Sequence, residues 1–149
     1  MTIYLGADHR GVDFKKKIIG ILEKAGTPYQ DLGAYDSEQS CDYPLIAYKV
    51  AKEVAKHQNS RGILVCMSGI GQAIAANKVR GAYAALCTNA TAARLSRQHN
   101  NANILVLGAK FIKATQLKAI ILTWLKTEFE GGRHQRRVNQ IKQIERKFC

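Results

Sequence analysis

The chain is short of proline, of acidic residues and of long apolar runs. Only Pro28 and Pro44 occur among 149 residues, and 46% of the chain is hydrophobic, which excludes a disordered or linker-rich protein. No apolar run approaches the ~20 residues that cross a bilayer. The first apolar residues, Ile3 to Leu5, meet Asp8 and His9 at once, too early for a signal peptide. A cytoplasmic location is expected. The four cysteines, Cys41, Cys66, Cys87 and Cys149, make no C-x-x-C spacing, and free thiols are expected in place of a disulfide framework. His9, His57, His99 and His134 are scattered, none at zinc-like spacing with cysteine, so no metal is expected.

The shortage of acid leaves 23 Lys and Arg against 11 Asp and Glu, a net charge of +12. Such a balance suits an acidic small molecule or nucleic acid. Positive charge gathers at the end of the chain, where Arg133, Arg136, Arg137, Lys142, Arg146 and Lys147 face Glu145 alone. The rest, including Lys15 to Lys17, is dispersed. A solvated basic face is the ordinary origin of such a run, and nucleic acid ranks as an unlikely partner.

What is present centres on Gly62 to Lys78, GILVCMSGIGQAIAANK. Ile63 to Cys66 fit a short buried parallel strand. The small-residue turn Met67-Ser68-Gly69-Ile70-Gly71 follows, then an alanine-rich helix from Gln72 to Asn77. A cysteine therefore sits at a strand's carboxyl end, facing glycines and a helix start, where open α/β sheets bind ligands and helix termini favour anions. Two phosphate motifs are excluded. Ile74 occupies the position where a dinucleotide fingerprint needs a small residue, and Gly6 to Gly11 is followed by Val12-Asp13 in place of Lys-Ser/Thr. An ordinary tight turn competes with a ligand site here.

Strand and helix alternate along the whole chain. Thr2 to Gly6 reads as a strand, and Phe14, Ile18, Ile21, Leu22 and Ala25 as a helical stripe stopped by Gly26. Tyr29 to Leu32 is a second strand. Pro44 suits a first helical position ahead of Ile46, Val50, Ala51 and Val54. Ala82 to Cys87 and Asn103 to Leu107 are the fourth and fifth strands. Thr88 or Asn89 caps a helix running towards His99. Leu117, Ile120, Ile121, Trp124 and Leu125 mark a long amphipathic helix. Past Gly131-Gly132, a last helix over about Gln135 to Arg146 has the thin stripe Val138, Ile141 and Ile144. Five alternations predict one α/β domain over residues 1–149, with a parallel sheet covered on both faces. The thin last stripe predicts packing on a second subunit, with a peripheral helix as the competing reading.

In such a sheet the turns carrying Asp8 and His9, Cys66 to Gly71, and Thr88-Asn89 share one edge. A cysteine beside a helix start tends to a depressed pKa, and a thiolate in a cleft acts as nucleophile or base; a buried small hydrophobe is the competing fate. His99 ends a helix, where the macrodipole alone favours histidine. Arg133 and Arg137, four apart, share a face that suits a phosphate or merely solvent.

Taken together, GADHRG from Gly6, DYP from Asp42, CMSGIGQAIAANK from Cys66, LSRQHNNANILVLG from Leu95 and EGGRHQRRV from Glu130 resemble the type B ribose-5-phosphate isomerases. That family also holds the galactose-6-phosphate isomerase subunits. The resemblance spans essentially the whole chain. It implies a Rossmann-like αβα sandwich, a homodimer or dimer of dimers, no metal or organic cofactor, and interconversion of ribose 5-phosphate and ribulose 5-phosphate in the pentose phosphate pathway. Position by position, it makes Cys66 the base that moves a proton between C1 and C2, and His99 the ring-opening acid/base. Asp8, His9 and Tyr43 match sugar or phosphate contacts. Met67, Ser68, Gly69, Ile70 and Gly71 supply backbone N–H groups to an enediolate. Asn100, Lys110, Arg133 and Arg137 match further substrate ligands, and family sites lie at the dimer interface. Two departures stand out. Met67-Ser68 replaces the common Gly-Thr, and Lys110 stands where an arginine is frequent, losing the planar fork. Allose or galactose 6-phosphate is the alternative substrate, and a non-catalytic phosphosugar sensor the alternative class.

Overall fold

A computed structural model describes residues 1–148. The chain alternates as expected: β1 (Thr2–Ala7), one 3-10 turn (His9–Gly11), α1 (Val12–Lys24), β2 (Tyr29–Asp31), α2 (Tyr43–Lys56), β3 (Ser60–Cys66) and α3 (Ile70–Ala76). Then follow β4 (Ala84–Leu86), α4 (Ala90–Asn100), β5 (Ile104–Gly108), α5 (Ala114–Lys126) and α6 (Arg133–Phe148). All five strands are parallel, in the order β2-β1-β3-β5-β4. β4 is shorter than its apolar sequence suggests, and α6 begins two residues early. Cys149 lies outside the described residues.

Alternation along each inner strand divides its side chains between two cores. Ile3, Leu5, Ile63, Val65, Leu105 and Leu107 face α1 and α5, where Ile18, Leu22, Leu117, Ile121 and Trp124 are buried. Tyr4, Leu64, Ile104 and Val106 face α2 and α3, meeting Ile46, Val50, Val54 and Ala76. Helices on both faces explain why the inner strands read as unbroken apolar runs. The order reverses between β1 and β3: the chain steps outward from β1 to β2, then returns past β1. Loops after β1 and β3 therefore diverge around a crevice at the carboxyl edge.

Buried charge fastens the periphery. Lys15 of α1 reaches Asp31 of β2 at 2.6 Å, pinning the edge strand. The Arg61 guanidinium donates to the carbonyls of Trp124 and Leu125, and Arg97 donates to those of Thr127 and Ala102, so two arginines satisfy the carboxyl end of α5 and the chain around it. Burial holds the Arg97 guanidinium down to about 10. The last helix is not free of its own chain. His134 and Val138 are buried, and the Glu145 carboxylate accepts from the Gly81 N–H (2.8 Å) and the Tyr83 hydroxyl (3.1 Å). Ile141 and Ile144 remain exposed, so only part of the expected stripe is left for a partner.

Gly11 sits where the turn after β1 presses on β3. A Cβ there would lie 2.4 Å from the Val65 carbonyl oxygen. Gly11→Ala is expected to cost about 2 kcal/mol or more, because backbone has to move. Gly20→Ala, in open space within α1, is expected to stabilise by about 0.5–1 kcal/mol. Urea denaturation of both variants checks the contrast; equal midpoints would remove the packing argument.

Candidate active site

Cys66 ends β3, the central strand, and is almost fully buried. Its Sγ accepts a hydrogen bond from the Gly69 N–H at 3.0 Å. This geometry depends on Gly69, the residue before α3, whose φ of 78° is a left-handed value. Met67 and Ser68 take no such φ, and the turn accommodates both side chains. The Met67 side chain turns outward to the Arg10 guanidinium, which approaches its sulfur at 2.9 Å. The Ser68 hydroxyl oxygen accepts from the Ile70 N–H and closes the turn.

Neighbouring strands hold this loop. The carbonyls of Cys66 and Met67 accept from the N–H groups of Ala109 and Lys110, at 2.9 and 3.0 Å, so the loop after β5 runs alongside. Asp8 is buried, and its carboxylate accepts from the Gly11 N–H at 3.0 Å. His9 Nδ1 accepts from the Cys41 N–H at 3.3 Å, tethering the polar loop before α2. Tyr43 lies against Gly71: a Cβ on that glycine would meet the phenol ring within 2.4–2.7 Å. Asp8, His9, Tyr43, Met67 to Gly71 and the backbone of Lys110 thus gather around Cys66 at one edge.

His99, Asn100, Arg133 and Arg137 do not join them. A helix crossing back over a parallel sheet ends at the amino edge, and α4 ends beside the start of β5. Ile104 pairs with Gly62 and Gly108 with Cys66, so the length of β5, roughly 13 Å at ~3.3 Å per residue, separates the two groups. At the amino edge His99 stacks on His134, ring centroids 4.1 Å apart and planes within 10°. Glu130 Oε2 lies 3.4 Å from His134 Nε2 and 4.0 Å from His99 Nε2. Arg133 and Arg137 project into solvent from the first turns of α6.

Two of these features escape sequence spacing. His99, Glu130 and His134 bring three potential metal ligands within 4.8 Å of one another. Their fit to an ion is poor, because nearly parallel stacked rings direct their lone pairs side by side and not towards one point. Gln72, the third residue of α3, is fully buried, with neither Nε2 nor Oε1 meeting a protein partner. A polar residue in an alanine-rich helix was its only signal.

Electrostatics correct one expectation. Burial pushes the Cys66 thiol up, and the Asp8 carboxylate adds to the rise. The backbone N–H groups of Gly69, Ser68 and Gln72 pull the other way but do not prevail. Burial outweighs the helix-start effect inferred from sequence. Asp8 is itself pushed up by burial, against the opposing pull of the Gly11 N–H. Removing the Asp8 charge should therefore favour the Cys66 thiolate. Asp8→Asn is expected to alkylate faster with iodoacetamide at Cys66 than the parent at the same pH, read by mass spectrometry of the Cys66 peptide; a slower or equal rate would contradict the assigned influence of Asp8.

Residues 3–141 match the family model described as Ribose/Galactose Isomerase. Ribose-5-phosphate isomerase B of Escherichia coli is 41% identical over 145 residues, covering 97% of both chains. The solved ribose-5-phosphate isomerase B of Clostridium thermocellum superposes with a TM-score of 0.96 at 46% identity, over all of both chains. That of Mycoplasma genitalium, solved with bound ribulose-5-phosphate, reaches 0.93 at 40% identity, over 97% of this chain and 96% of its own. By sequence and by fold, the chain belongs to the ribose/galactose isomerase family.

Proposed function

We propose that this chain interconverts ribose 5-phosphate and ribulose 5-phosphate through an enediolate. The observation that carries this reading is the Cys66 thiol, held by the Gly69 N–H at the β1/β3 switch point of a family member's sheet. The Cys66 thiolate takes the proton from C2 of the open-chain aldose and returns it to C1, while the O2 proton passes to O1. The peptide N–H groups of the Met67–Gly71 loop face the oxygen on which charge develops. Ribose 5-phosphate rests mainly as a closed ring. His99 donates to the ring oxygen and accepts from the O1 hydroxyl, opening the ring before isomerisation. Arg133, Arg137 and Lys110 hold the phosphate, Asp8, His9 and Tyr43 contact the sugar, and Asn100 adds a further polar contact. No step calls for a metal or organic cofactor.

Cys66 and His99 occupy opposite edges of one chain, and a site using both therefore draws on two chains. Ile70 and Ile74, one turn apart on α3, lie exposed with Leu86, Phe111 and Met67 around the Cys66 loop. Such an apolar face suits a second copy, which brings its amino-edge groups to this chain's thiol.

Cys66→Ala is expected to lose nearly all turnover of ribose 5-phosphate with its fold intact; a near-normal rate rejects the base. His99→Asn should impair ribose 5-phosphate much more than a four-carbon aldose 4-phosphate, whose esterified O4 cannot close a ring. Equal losses contradict ring opening. Each of these variants alone should turn over ribose 5-phosphate slowly, but refolded together they should recover about a quarter of the parental rate, because half the dimers then hold one intact site of two. No recovery would place both residues in one chain's site. Rates on allose and galactose 6-phosphates, beside ribose 5-phosphate, decide the substrate.

A further inference from the structure

The amino-edge cluster has more structure than a lone acid needs. His134 is buried while His99 is part-exposed, and the two rings stack. Glu130 N–H donates to the Gln98 carbonyl at 3.1 Å, tying the chain before α6 to the last turn of α4. Gly131 and Gly132, with φ of 67° and 53°, then turn the backbone so that α6 starts with His134 over His99. A single carboxylate oxygen, Glu130 Oε2, faces both Nε2 atoms.

We propose that His134 is a positioning residue for His99: its imidazole is the platform that fixes the plane of the His99 ring, and Glu130 orients both rings through one shared carboxylate. The proposal rests on the reading of His99 as the ring-opening group. Acid catalysis needs the donor N–H aimed at one oxygen of the sugar, and a half-exposed imidazole at a helix end has free rotation about two side-chain bonds. Stacking on a buried ring removes that freedom before substrate arrives. Burial, with the positive groups His99, Arg133 and Arg137 nearby, holds His134 below the usual imidazole range, against the pull of Glu130. The His134 imidazole presents its aromatic face to the His99 ring, 4.1 Å away. Two imidazolium rings at this spacing would repel.

The test compares His134→Ala, which removes the platform, with His134→Phe, which keeps a stacked ring but no nitrogen. In the substrate-free protein, the His99 ring protons, assigned by loss of their signals in His99→Asn, should show an upfield ring-current shift. That shift should vanish in His134→Ala and persist in His134→Phe. On ribose 5-phosphate, His134→Ala should lower kcat between about tenfold and a hundredfold with KM nearly unchanged, and His134→Phe should recover most of the loss. Circular dichroism establishes that both variants fold. Absence of the ring-current shift in the parent overturns the platform, whatever the activity. A parental kcat in His134→Ala, with His99→Asn impaired, overturns the positioning role while leaving His99 as the acid. An inactive parent instead rejects the isomerase reading, and the ring-current comparison then still decides the platform.

Discussion

Parallel pairing of β1, β3 and β5 is the constraint on which everything else depends. Parallel neighbours cannot be joined by tight turns, so each connection crosses over as a helix and buries one face of the sheet. Strand carboxyl ends then collect at one edge and helix carboxyl ends at the other. Cys66 follows a strand and His99 ends a helix; their separation is a consequence of the topology and not a local accident. In the proposed reaction the carbon base and the ring-opening acid are thereby divided between two edges, which a second chain would rejoin.

At the carboxyl edge the thiol stands between opposing influences. Its position at the end of a fully buried strand excludes water and penalises charge. The backbone N–H groups of Ser68, Gly69 and Gln72 favour the thiolate, and the Asp8 carboxylate disfavours it. In the chain without substrate, burial and Asp8 prevail. In the reaction proposed above, the same N–H groups that only partly offset burial for sulfur would serve the enediolate oxygen, so a site reluctant to hold a resting anion would hold a transient one. The buried carboxamide of Gln72 on the helix after this loop adds a donor and an acceptor that meet no protein partner.

Much was legible from one dimension because periodicity and turn chemistry are local. The runs read at Ile63 to Cys66 and Asn103 to Leu107 fall in β3 (Ser60–Cys66) and β5 (Ile104–Gly108), and Asn89 caps α4 by accepting from the Ala92 N–H. Five short motifs were specific enough to point to the family. Other features depended on distant atoms. Met67 seemed to crowd a turn that favours glycine, yet only Gly69 has a left-handed φ there, and the methionine side chain has space beside Arg10. The last helix was expected to pack on a second subunit; Val138, His134 and Glu145 attach it to its own chain as well, and Ile141 and Ile144 of its stripe face outward. Net charge of +12 is partly accounted for by Lys15, Arg61 and Arg97, which are buried structural cations.

The sequence by itself determined the α/β class, the order of elements and the sheet covered on both faces. Those follow from hydrophobic period and from turn residues, which depend on neighbours a few positions away. Tertiary structure decided three things. It set the direction of the Cys66 shift, because burial depends on the strands and helices packed around it. It put His99 at the edge opposite Cys66, because crossover direction is a property of the sheet. And it stacked His134 on His99 beside Glu130, a contact made by a turn through two glycines that no spacing in the chain announces.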